Sequence, residues 1–166
     1  LEFSLIKNKT FDTIVFISEP TTRFAPNIND YEFKLLEDLL NVFDEVLIRL
    51  HPTEDEYKYD CITSKFPKVN IVIVKAYEED LLVTLSKSKL TIGLTSMALY
   101  TSYILGIDTI SYVSNSNITP SIPIPKELII KNSKEIKSRN FNKKPLNINS
   151  VENTFDYVVK CILRNS

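Results

Sequence analysis

Short runs of β-branched and apolar residues alternate with amphipathic stretches along most of this chain. Residues 13–18, "TIVFIS", form a continuous apolar run of the kind a strand covered on both faces requires. After the loop "EPTTRFAPNIN" a helix is expected to open near Asn29, with Glu32 three residues on as a variant of the capping box. Leu36, Leu39, Leu40 and Phe43 recur at i, i+3, i+4 and i+7 and form its apolar stripe. "EVLIRL" (45–50) reads as the second strand, and a short polar helix is expected within 53–65. "NIVIV" (70–74) is the third strand. Glu78, Glu79 and Asp80 open the next helix and Lys87 and Lys89 close it, charges that suit the helix dipole. "KLTIGL" (89–94) is the fourth strand. A helix from Ser96 to Leu105 stops at Gly106, a residue that tolerates a left-handed C-cap, and "DTISYV" (108–113) is the fifth strand. Beyond Pro120, Pro123 and Pro125 lies a short strand at "ELII" (127–130). Ser150 then caps a last helix with Val151, Phe155, Val158, Val159 and Ile162 on one face. Strands alternating with helices predict a parallel sheet covered on both faces, a Rossmann-like α/β fold.

Composition narrows the picture. A chain of 166 residues with 43% hydrophobic and 25% charged residues fits one domain with a real core. A net charge of -1 provides no basic field for nucleic acid. Cys61 and Cys161 match no zinc spacing, and His51 is the single histidine, so no metal site is expected. Both thiols read as small, buried or partly buried residues of a reducing compartment. The opening "LEFSLIKNKT" has no sustained apolar stretch, so no signal peptide is read there. The most apolar region, 90–113, is interrupted by Gly93, Gly106, Asp108 and many hydroxyls, which fits strand, helix, strand rather than a membrane span. With two glycines in all, GxGxxG and the Walker A loop are both excluded.

In an open parallel sheet, ligands bind beyond the carboxyl ends of the strands. Those ends carry Ser18-Glu19-Pro20, Arg49-Leu50-His51-Pro52, Lys75-Ala76-Tyr77, Gly93-Leu94-Thr95-Ser96 and Val113-Ser114-Asn115. Arg49 and His51 are two residues apart and share a face, which makes an anion contact; alternatively His51 only bonds a loop carbonyl. Pro52 restricts His51 to extended geometry. Gly93 is expected to let the strand turn, and Thr95 and Ser96 then stand at a helix start where free N–H groups attract anions or simply receive a cap. Glu19 is placed to accept from a ribose hydroxyl, with Ser18 and Lys75 as further base or ribose contacts. "TEDE" (53–56) reads as the solvated first turn of a helix. A serine-hydrolase reading fails, because G-x-S-x-G is missing and the histidine precedes the serine.

Together, "RLHP" (49–52), "GLTSMALYTSYILGI" (93–107) and "FISEP" (16–20) resemble the C-terminal nucleotide-binding half of a GT-B glycosyltransferase. The nearest likeness is to bacterial sialyltransferases and polysialyltransferases with an HP motif and a downstream Ser/Thr motif. The resemblance implies that His51 acts catalytically on the leaving group. It also implies that Arg49, His51, Pro52, Gly93, Thr95 and Ser96 hold the donor phosphate. The implied donor is a nucleotide sugar, CMP-type favoured, with no further cofactor and a glycan or glycolipid acceptor. It further implies a cytoplasmic enzyme of surface-polysaccharide synthesis (capsule or lipooligosaccharide), with peripheral attachment at the inner membrane face and a homodimer both open. CDP-glycerol transferases of the teichoic-acid type have a similar layout, and non-hydrolysing UDP-N-acetylglucosamine 2-epimerases share the fold but have acidic sugar-binding motifs that this chain lacks. The expectation is therefore a single donor-binding domain over 1–166, cut from a longer two-domain enzyme whose acidic base lies in the other half, so that this chain alone is inactive. The rival is a non-catalytic module of a glycan-synthesis complex, which predicts a large exposed apolar patch and no convergent pocket at the strand ends, and which segments 49–52 and 93–96 on opposite edges of the sheet would favour.

Overall fold

The computed structural model describes residues 13–20, 28–113, 122–132 and 134–138. The expected last helix after Ser150, together with Cys161, Ser114, Asn115 and Pro120, lies outside them. The elements are β1 (Thr13–Ile17), α1 (Ile28–Leu40), β2 (Glu45–Arg49), α2 (Asp60–Lys65), β3 (Asn70–Val74), α3 (Leu81–Ser86), β4 (Ser88–Gly93), α4 (Met97–Ile104), β5 (Asp108–Tyr112), β6 (Ile129–Ile130) and α5 (Lys134–Ser138). Six parallel strands run in the order β3-β2-β1-β4-β5-β6, a Rossmann-like sheet. Ile17 pairs with Arg49 on one side and with Gly93 on the other, so three of the named strand ends lie level.

Strand alternation divides the core into two layers. Ile14, Phe16, Val46, Ile48, Leu50, Leu90, Ile92, Ile110 and Tyr112 pack on one face against Leu35, Leu36, Leu39 and Leu40 of α1, Ile62 of α2 and Ile136 of α5. Val15, Ile17 and Leu47 pack on the other face against Leu85 of α3, Leu99 of α4 and the following Leu105 and Ile107. Because Leu47 and Arg49 share a face, Arg49 points to the α3–α4 side. Among the described residues, no helix is long and apolar enough to cross a membrane.

Gly106 is at φ 77 and completes a Schellman ending of α4. Ile107 N–H donates to the Ser102 carbonyl at 3.1 Å and Gly106 N–H to that of Tyr103 at 3.0 Å. Gly93 serves another purpose than the turn expected of it, since its φ is not positive. A Cβ there would stand 2.9 Å from the Ile17 carbonyl and 3.3 Å from Ile17 Cβ, with Leu99 behind. The glycine lets β4 and β1 approach beneath α4. Gly93→Ala is therefore expected to lower the unfolding free energy by about 1–3 kcal/mol through overpacking, read from urea melts; an unchanged midpoint would contradict it.

Several local expectations are corrected. The short helix expected within 53–65 is present as Asp60–Lys65, but "TEDE" (53–56) is not its first turn, since residues 51–59 precede it as a loop of turns. α3 starts at Leu81, capped by the Asp80 side chain on the Leu82 N–H at 2.7 Å, so Glu78 and Glu79 precede it. Lys89 lies within β4. Cys61 is exposed on α2 rather than buried. Glu32 is no capping residue: it is fully buried on the stripe of α1.

Candidate functional site

The chain leaves β1 towards β2 and β3 on one side, and later returns through β4 to β6 on the other. Strand order reverses between β1 and β4, and a crevice is expected beyond their carboxyl ends. A cavity of about 270 Å³ opens there, on the α3–α4 side. Its polar wall holds Arg49, His51 and Ser96, with Ser18 and Pro52 beside them, and Ile17, Leu50, Leu81, Met97 and Ala98 line the rest. The 49–52 segment and the start of α4 thus meet at one cavity.

His51 follows β2 and is half-buried. Its main-chain N–H donates to Glu54 Oε2 at 2.7 Å, which fixes the path of the loop. The Thr53 N–H donates to His51 Nδ1 at 3.2 Å, and Thr53 Oγ1 lies 3.0 Å from the same nitrogen. A ring nitrogen that accepts an N–H carries no proton, so the neutral ring holds its proton on Nε2. The imidazole is therefore a hydrogen-bond donor at Nε2, and the simple bond to a loop carbonyl is not what occupies it. Being the single histidine, it has unmistakable ¹⁵N resonances. They are expected to show the Nε2–H tautomer; an Nδ1–H pattern in the free protein would contradict the assignment.

Arg49 is 8% exposed. Its Nη1 donates to the Glu79 carbonyl at 2.9 Å and to Thr84 Oγ1 at 2.6 Å, which aims the guanidinium along the cavity wall. Burial lowers its pKa from the usual arginine value, and the charges of Glu79 and Asp80 oppose that shift. Arginine keeps its charge at such a site, so it is a fixed cation.

At the start of α4, Ser96 is the N-cap and accepts the Ala98 N–H at 3.2 Å, leaving its hydroxyl proton as a donor. The helix-start N–H groups assigned to a phosphate are filled from within the chain. Glu19 Oε1 accepts from Thr95 N–H at 2.5 Å and Ser96 N–H at 2.7 Å, and Oε2 accepts from Thr95 Oγ1 at 2.9 Å. Burial raises the Glu19 pKa, while the bonds from Thr95 and Ser96 oppose the rise. Glu19, expected at a ribose hydroxyl, instead bridges β1 to α4 across the switch point, and Thr95 is engaged with it.

Behind the cavity lies a buried polar network that the sequence did not announce. Lys58 Nζ pairs with Glu32 Oε2 and Glu54 Oε1, and also donates to Ser18 Oγ at 3.2 Å and the Glu19 carbonyl at 3.1 Å. Ser18 Oγ donates to Glu54 Oε1 at 2.8 Å and stands 2.7 Å from the Tyr59 hydroxyl, which must then be the donor of that pair. Burial pushes the Tyr59 pKa upward, reinforced by Glu32, so it stays a phenol. Burial also raises Glu32, with Lys58 opposing, and Glu32 Oε1 accepts the Glu19 N–H at 2.7 Å. Glu54 is hence no solvated helix start: its side chain is 3% exposed and ties His51, Ser18 and Lys58 together. The Ser18 hydroxyl belongs to this network. Lys75, expected near the base or ribose, projects from the end of edge strand β3 towards Glu56 Oε2 at 2.5 Å, with the Tyr77 ring 5.8 Å away. It does not line the cavity.

Among the described residues, no three histidine, cysteine, aspartate or glutamate side chains are grouped to hold a metal ion. No protein-family model matches the sequence, and no curated protein matches it either.

Proposed function

We propose that this chain is the donor-binding domain of a glycosyltransferase that uses a nucleotide sugar, with CMP as the favoured leaving group. The observation that carries the reading is the convergence of Arg49, His51, Pro52 and Ser96 on one cavity at the carboxyl edge of a parallel sheet. Segments 49–52 and 93–96 on opposite edges of the sheet would have favoured the rival, a non-catalytic module. Their meeting at one cavity favours the donor site.

In this reading the phosphate lies against His51, with Nε2–H donating to a non-bridging oxygen. The Ser96 hydroxyl donates a second bond, and the Arg49 charge stabilises the anion through the low-dielectric wall. As the glycosidic bond breaks, negative charge accumulates on the phosphate, and donors already aimed at it stabilise that charge more than they stabilise the intact donor. Leu50, Leu81, Met97 and Ala98 supply apolar surface to the same space. None of the described residues lining the cavity is a carboxylate, so the base that an acceptor hydroxyl needs is assigned to no residue of this wall. The chain handles the leaving group.

Calorimetric titration of the 166-residue chain with CMP and CDP tests the proposal. Saturable binding of CMP is expected. Heat of dilution alone for both nucleotides would overturn the reading.

A further inference from the structure

We infer that Glu19 is a specificity-determining residue: its carboxylate fills the positive end of α4, so the adjacent cavity takes a ligand with one phosphate and disfavours one with two or three. This rests on the nucleotide reading above and deepens it. The N–H groups that elsewhere in this fold class are free to cradle a pyrophosphate are here committed. Thr95 N–H and Ser96 N–H both donate to Oε1, and Thr95 Oγ1 donates to Oε2. Three bonds from two residues leave the helix end electrically satisfied and place a negative charge beside Ser96, which lines the cavity.

The surrounding charges do not cancel it. The ammonium nearest to Glu19 belongs to Lys58, which touches only the Glu19 carbonyl oxygen and already serves Glu32 and Glu54. Two carboxylates therefore share that ammonium, and the Glu19 carboxylate is not one of them. On the cavity side Arg49 is the full cation, with Glu79 and Asp80 near it, and His51 contributes an uncharged donor. One phosphate is matched by Arg49, His51 and the Ser96 hydroxyl. A second would have to approach the Glu19 charge, and like-charge juxtaposition in a partly buried site is a strong discriminator.

The test is the affinity ladder of CMP, CDP and CTP, measured by calorimetry on the 166-residue chain and on its Glu19→Gln variant. Glutamine keeps one oxygen for the α4 N–H groups and removes the charge. The wild-type chain is expected to bind CMP most tightly, and Glu19→Gln to tighten CDP and CTP roughly tenfold relative to CMP. The wild-type ladder needs no variant: CDP or CTP binding more tightly than CMP overturns the inference and leaves the nucleotide reading in place. An unchanged ladder in a folded Glu19→Gln variant overturns it as well. If no nucleotide binds either protein, the nucleotide reading itself falls, and this inference with it.

Discussion

Lys58→Met is expected to destabilise the fold by about 3–5 kcal/mol, the cost of breaking a buried ion pair from one side. The lysine side chain is 14% exposed, while its partners Glu32 and Glu54 are 0% and 3% exposed. Removing the ammonium leaves two carboxylates almost without water, one of them already raised in pKa by burial. Methionine fills the volume, so the loss is electrostatic rather than a cavity. Adding Glu32→Gln to Lys58→Met is expected to recover part of the loss, because it removes one of the stranded charges while keeping an acceptor for the Glu19 N–H. Urea unfolding of the two single variants and the double variant gives the cycle. A loss below about 1 kcal/mol for Lys58→Met would mean that the network is hydrated and stabilises little.

The second large effect concerns binding. His51→Ala is expected to weaken CMP binding roughly 10- to 100-fold, the size of a lost hydrogen bond to a charged group. The substitution is a clean probe, because Glu54 anchors the loop through the main-chain N–H of residue 51 and alanine retains that bond. Stability should change little, and melts run in parallel separate lost binding from lost fold. Unchanged affinity would remove His51 from the site. Arg49 is a poorer probe, since its Nη1 also holds the Glu79 carbonyl and Thr84, so its loss mixes binding with packing.

What the sequence revealed followed from periodicity. The five main strands, the helix after Asn29 and the parallel sheet were legible because apolar runs of strand length alternate with helical stripes. The placing of Arg49, His51 and Ser96 at one edge followed from the general rule for strand ends. The network behind them was less legible, because its charges look like surface residues when read singly. Glu54 and Lys58 are an i, i+4 pair in a stretch that resembles a solvated helix, and only the fold brings Glu32 and Ser18 to them. A signal did exist for Glu32, which lies on the stripe continued by Leu35, Leu36 and Leu39, a buried phase for a charge. Gly93 was legible as special but not in its reason: a tight strand contact cannot be told from a turn until Ile17 is known to lie opposite. The Glu19 bond to Thr95 joins residues 76 positions apart, beyond any local pattern.

In the proposed donor site, His51 presents Nε2–H to a phosphate in the cavity beside Arg49 and Ser96. The most direct measurement follows the ¹H and ¹⁵N signals of this single imidazole while CMP is titrated into the 166-residue chain. A saturable shift is expected, largest at Nε2, with Nδ1 remaining the acceptor of the Thr53 N–H. Imidazole signals that stay in place while CMP binds elsewhere, or that never respond to CMP, would contradict it.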